Sequence, residues 1–125
     1  MMIEQRVYTF HPGTLGEFWK IYLPDPLALQ RRILGDLVGY FTVEAGTLNQ
    51  VVHLWRYASF EDRARRRALL MKEPMWQEYL AKAMPLIQRQ ESILLAHRFF
   101  SPAIGHRLER PGRTRMNVRP GPKAC

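Results

Sequence analysis

The sequence predicts an α+β chain of the ferredoxin-like, split βαβ kind, in which helices cover one face of an antiparallel sheet. Two observations carry that expectation. Stretches rich in β-branched and aromatic residues interleave with stretches of three- and four-residue apolar spacing, in the order strand, helix, two strands, helix pair, strand. The most informative stretch, residues 48–67 (LNQVVHLWRYASFEDRARRR), joins a strand with His, Trp and Tyr on one face to an Arg-rich capped helix.

Ile3 to Phe10 reads as the first strand, ended by His11-Pro12-Gly13. Thr14 can cap a helix whose Leu15, Phe18, Trp19 and Tyr22 form an apolar stripe. Pro24 and Pro26 lack an amide proton and interrupt it, so a second half, Leu27 to Ile33, restarts after a bend and ends at Gly35. Asp36 to Glu44 forms the second strand, and Ala45-Gly46-Thr47 turns it antiparallel into the third, residues 48–57. In that third strand Leu48, Gln50, Val52, Leu54 and Arg56 hold most of the aliphatic bulk and are expected to pack on the helices. Asn49, Val51, His53, Trp55 and Tyr57 then look into something else. Ser59, three residues before Asp62, caps the next helix, which runs through Ala64, Ala68, Leu69 and Leu70. Pro74 opens a further helix with Trp76, Tyr79, Leu80 and Ala83 on its buried face, Pro85 marks its end, and Ser92 to Phe99 is the last strand.

Helices on one face leave the other face of the sheet open. With Tyr8, Tyr40 or Phe41, and Trp55 on strands, such a face would expose more apolar surface than soluble monomers usually tolerate. A homodimer that pairs the open faces is therefore expected.

Composition sets the remaining limits. A chain of 125 residues, 46% hydrophobic, supports one core, placed at residues 1–105. No run of about 18 apolar residues suits a membrane span, and MMIEQRVYTF lacks the apolar stretch of a secretory signal, so a cytoplasmic setting is expected. The one cysteine, Cys125, excludes an intrachain disulfide. Of the net charge of +8, residues 106–125 supply +5, from Arg107, Arg110, Arg113, Arg115, Arg119 and Lys123 against Glu109. That segment, with Pro111, Gly112, Pro120, Gly121 and Pro122, reads as a flexible basic tail; without aromatic interleaving it points to no specific nucleic acid. His11, His53, His97 and His106 show no metal-ligand spacing, and Gly35, Gly39 and Gly46 form no dinucleotide or phosphate loop, so no metal and no cofactor are expected.

The candidate site residues lie around the third strand. His53 could serve as a general base or ligand, since a neutral imidazole both accepts and donates; equally it could be a core histidine bonded to a backbone carbonyl. Trp55 and Tyr57 could wall a ligand cavity, with Tyr57 a proton donor, or pack a dimer core. Arg63 and Arg67, four residues apart, share a helical face and could clamp a carboxylate or phosphate, or pair with acids such as Glu44 or Glu61. Arg65 and Arg66 read as surface residues.

VYTFHPG at 7–13, LVGYFTVEAGTLNQVVHLWRY at 37–57, FEDRARRRALL at 60–70 and QESILL at 90–95 follow one another in an order and spacing that resemble the NIPSNAP family, over about residues 3–104. The resemblance implies a dimeric α/β barrel, the superfamily of cofactor-independent antibiotic-biosynthesis-type monooxygenases and small haem-degrading oxygenases. It implies no established reaction; the mitochondrial animal members are associated with vesicular transport and mitophagy signalling through protein partners. Within that frame each subunit is expected to enclose a small cavity for an aromatic or polyketide-like organic molecule, lined by Tyr8, His53, Trp55 and Tyr57, with Arg63 or Arg67 on an anionic group. His53 and Tyr57 are the candidate catalytic residues, for cofactor-free oxygenation or proton-transfer isomerisation. The alternative is a non-enzymatic interaction module that presents helical faces or the basic tail to a protein partner.

Overall fold

In the computed structural model, which describes residues 1–99, the chain runs β1 (Met2–Phe10), α1 (Leu15–Tyr22), α2 (Asp25–Leu34), β2 (Asp36–Thr42), β3 (Gln50–Tyr57), α3 (Phe60–Met71), α4 (Pro74–Ala83), a 3-10 turn at Met84–Leu86, and β4 (Ile87–Ala96). The strands form one antiparallel sheet in the order β2-β3-β1-β4. This is the split βαβ arrangement: α1 and α2 connect β1 to β2 across β3, and α3 and α4 connect β3 to β4 across β1. The basic tail at 106–125 lies outside the described residues.

Local chemistry explains most boundaries. Pro24 occupies the N-cap of α2 and Pro26 falls in its first turn, where a missing N–H costs no helical hydrogen bond, so α2 begins at Asp25 rather than Leu27. Gly35 ends α2 at φ +97, a backbone conformation that side chains disfavour. Ser59 caps α3 as expected, its hydroxyl accepting from the Asp62 N–H at 3.0 Å, while the Asp62 carboxylate accepts from the Ala58 N–H at 3.1 Å. Thr14 holds the N-cap position of α1 but makes no cap bond; its hydroxyl donates to the His11 carbonyl at 2.7 Å.

Three further expectations are corrected. The last strand starts at Ile87, not Ser92, because it pairs with β1 along its whole length, from Phe10 opposite Ile87 to Met2 opposite Ala96. Its polar beginning, Gln88 to Glu91, is an exposed edge. The two faces of β3 are also reversed. Val51, His53, Trp55 and Tyr57 are buried under the helices, whereas Gln50, Val52, Leu54 and Arg56 lie on the open face. Aromatic side chains bury on the order of 150–250 Å² each, more than Val or Leu, so the larger apolar area goes between the layers despite its polar tips. Tyr8 and Trp55 are thus helix-covered and add nothing to the open face, whose exposed apolar side chains include Phe41, Ile93 and Leu95. Finally, Arg66 is not a free surface residue: it bonds Asp62 at 2.9 Å and the Ile33 carbonyl at 3.0 Å, tying α3 to the end of α2 beside Gly35.

The core lies between the sheet and the helices. It includes Phe18 and Tyr22 of α1, Trp76 and Tyr79 of α4, and Phe10 and Trp55 of the sheet; Phe18 meets Phe10 with centroids 4.6 Å apart, and Tyr22 meets Tyr79 at 5.6 Å. A register shift between Leu37 and Gly39 lets Tyr40 turn inward opposite His53 and sends Phe41 outward.

Candidate functional site

Alternation in β1 places Glu4, Arg6 and Tyr8 on the helix-facing side, and the register sets Arg6 between His53 of β3 and Ser92 of β4. The Glu4 side chain is wholly buried. Its Oε2 accepts from Ser92 Oγ at 2.6 Å, from Arg6 at 2.7 Å and from Arg63 of α3 at 2.9 Å. Burial alone would raise this carboxyl, but the bonds from Arg63 and Ser92 and the charge of Arg6 more than offset it and hold it at about 2. Oε1 of the same carboxylate is buried with no partner.

His53 sits in an aromatic box. Tyr40 stacks on it, centroids 4.4 Å apart and rings 12° from parallel, and Tyr8 meets it edge-on at 4.9 Å. Trp55 Nε1 donates to His53 Nδ1 at 2.7 Å. An indole N–H only donates, so Nδ1 is the accepting nitrogen and the proton of the neutral ring resides on Nε2. Desolvation, reinforced by the charges of Arg6 and Arg67, pushes the imidazole down to about 3, so it is neutral at physiological pH. Nε2 is buried and has no partner.

Two more buried polar groups are unpartnered, the Tyr57 hydroxyl and Arg63 Nε. Burial and the Glu4 charge push the Tyr57 phenol up to about 12, so it keeps its proton. Arg67, one turn beyond Arg63, makes no hydrogen bond or ion pair among the described residues, although Arg6, Glu4, Tyr8 and Tyr57 all act on it electrostatically. Burial and the like charge of Arg6 push its guanidinium down from the ordinary value.

The structure therefore brings all six residues singled out from the sequence to one region. Tyr8, His53, Trp55 and Tyr57 share the covered face of the sheet, and Arg63 and Arg67 reach it from α3. Their partners differ from expectation, since Arg63 pairs with Glu4 rather than Glu44 or Glu61, and His53 is engaged by Trp55 rather than by a carbonyl. Glu4, Arg6 and Ser92 were not singled out from the sequence, and Tyr40 was named only as one of two aromatics, with Phe41, that the open face could carry. The one available signal was the Glu-x-Arg-x-Tyr alternation at 4–8, which places two charges on the same face as aromatics in a strand. Among the described residues no three His, Cys, Asp or Glu side chains gather as a metal site, and no helix is long and apolar enough to cross a membrane.

Comparison with known proteins agrees with this architecture. The NIPSNAP family model matches residues 3–102. A NipSnap homologue from Dictyostelium discoideum is 44% identical over 89 residues, 71% of this chain and 39% of that protein. The chain spans less than two fifths of the length of such curated relatives, 36% in the human homologue 3A. Among solved structures, a NIPSNAP-like domain protein from Burkholderia xenovorans is 46% identical, with a TM-score of 0.76 over 81% of this chain and 88% of that one. A protein described as an antibiotic biosynthesis monooxygenase, from Nitrosomonas europaea, aligns with a TM-score of 0.58 over 79% of this chain and 100% of that one; at 7% identity this is a likeness of fold alone.

Proposed function

The chain belongs to the NIPSNAP family, and from that premise we propose that the helix-covered face of its sheet binds a small organic molecule, with His53 and Tyr57 against its reacting atoms. One observation carries the reading: Glu4 Oε1, His53 Nε2, Tyr57 OH and Arg63 Nε are four buried polar atoms on one region without partners. Each such atom costs about 1–3 kcal/mol unless something bonds it, and a ligand with matching groups recovers that loss.

The roles follow from the proton positions. His53, with Nδ1 engaged and the proton on Nε2, acts as a fixed neutral donor rather than a base. Tyr57 is a second donor, Tyr8 and Trp55 hold the imidazole in place, and Arg63 and Arg67 supply positive charge. Preset donors of this kind would stabilise an oxygen of the bound molecule that gains negative charge. The open face, with Phe41, Ile93 and Leu95 exposed, supports a homodimer built on it.

Native mass spectrometry of the protein purified from its own host tests both parts. A dimer with extra mass supports the reading; a dimer without retained mass, with no small molecule found to bind, gives way to a non-enzymatic interaction module.

A further inference from the structure

Taking the ligand site proposed above as given, we infer that its occupant is a small hydroxycarboxylic acid, with the carboxylate on Arg67 and the hydroxyl between His53 Nε2–H and Glu4 Oε1. The charges facing the site are Arg6, Arg63 and Arg67 against the single carboxylate of Glu4, and His53 is neutral. Arg6 and Arg63 both spend a guanidinium nitrogen on Glu4 Oε2. Arg67 has no such partner, so among the described residues it is the partly buried guanidinium of the cluster that no carboxylate bonds, although the Glu4 charge acts on it. A planar carboxylate matches the guanidinium fork in two parallel bonds.

The remaining groups specify what else the ligand carries. An ionised carboxylate oxygen only accepts, so Glu4 Oε1 requires a donor. His53 Nε2–H only donates, so it requires an acceptor. A hydroxyl is the smallest group that does both at once. A phosphate dianion fits less well, because its oxygens would face the lone pairs of Glu4 Oε1, and a neutral amide would leave Arg67 uncompensated.

Four probes separate these demands: mandelate, phenylacetate (no hydroxyl), mandelamide (no charge) and inorganic phosphate. Binding is read by NMR at the His53 Nε2–H and arginine Nε–H signals. Mandelate is expected to shift both and to bind about tenfold or more tighter than each of the other three, and Arg67→Gln is expected to remove that advantage over mandelamide. Since Arg67 makes no hydrogen bond or ion pair among the described residues, the variant is expected to keep the fold, which circular dichroism checks. Equal binding of mandelamide, or an Arg67→Gln variant that holds mandelate as tightly as the parent chain, overturns the acid while the ligand site stands. Tighter phosphate binding overturns it in favour of a phosphate ester. A His53 signal that no probe moves, on protein that retains no mass from its host, removes both the inference and the site.

Discussion

Trp55 fixes the tautomer of His53. The two stand two residues apart on one face of β3, and the indole N–H donates to Nδ1 at 2.7 Å, which leaves the imidazole proton on Nε2 in a buried setting without a partner. The bond settles which nitrogen faces outward from the pair and makes it a donor.

The first prediction concerns the pH dependence that follows. His53 is held at about 3 in the folded chain, whereas the unfolded chain titrates at its ordinary value near 6.5. Between these limits the unfolded state binds more protons, so stability is complete above about pH 7 and falls as pH falls. Urea unfolding is expected to show a loss of about 2 kcal/mol between pH 7 and pH 5 from this one group. His53→Gln removes that slope, and a slope that survives the substitution would assign it elsewhere. The ring nitrogen shifts should also show Nε2 protonated and Nδ1 bare at pH 7.

Glu4 gives a second, separable window. Its carboxyl is held at about 2 against an ordinary 4.5, so its contribution is present above about pH 5 and lost as pH falls towards 2. Glu4→Gln leaves Arg6 and Arg63 without their carboxylate and is expected to cost about 3–5 kcal/mol at pH 7. The gap between the parent chain and this variant should narrow by about 2 kcal/mol between pH 5 and pH 3. A gap constant across that range would mean the carboxylate is not the ionised hub described above.

Much of the fold was legible because the signals were local. Ser59 before Asp62, Pro74 at a first turn, and the alternation in β1 and β3 each act within a few residues. The hub of the site was not, because Glu4 meets Arg63 and Ser92 across 59 and 88 positions of sequence, and a lone acid in an N-terminal strand looks solvent-facing. The choice between Tyr40 and Phe41 stayed open in the sequence for a related reason. An irregularity at Leu37/Gly39 reverses the inside-outside parity of β2, and no composition rule announces it. The Phe41 ring then lies over Gly39, where an added Cβ would sit 2.6 Å from its tip.

That outward Phe41 provides the third prediction. It is 53% exposed on the open face, and Ile93 on the edge strand is 49% exposed. Placing a charge at either position leaves the covered core untouched but puts a desolvation cost into any face-to-face pairing. By light scattering the parent chain is expected near twice 14.7 kDa, and Phe41→Glu and Ile93→Glu near one such mass, with unchanged circular dichroism. Charged variants that stay dimeric would place the interface on another surface.

The fourth prediction separates two arginines that look alike in sequence, one helical turn apart on α3. Arg63 reaches Glu4 Oε2 at 2.9 Å, and its guanidinium is held up by that bond. Arg67 is held down by burial and by Arg6 and bonds to nothing among the described residues. Removing the first breaks a charged hydrogen bond to a buried carboxylate, so Arg63→Gln is expected to cost about 1.5–3 kcal/mol in urea unfolding. Removing the second relieves like-charge repulsion with Arg6, so Arg67→Gln is expected to leave stability within about 0.5 kcal/mol or raise it. Stability and ligand binding should therefore part company at Arg67. If Arg67→Gln proves as destabilising as Arg63→Gln, Arg67 serves the fold, and the positive charge it brings to the covered face is not held there for a ligand.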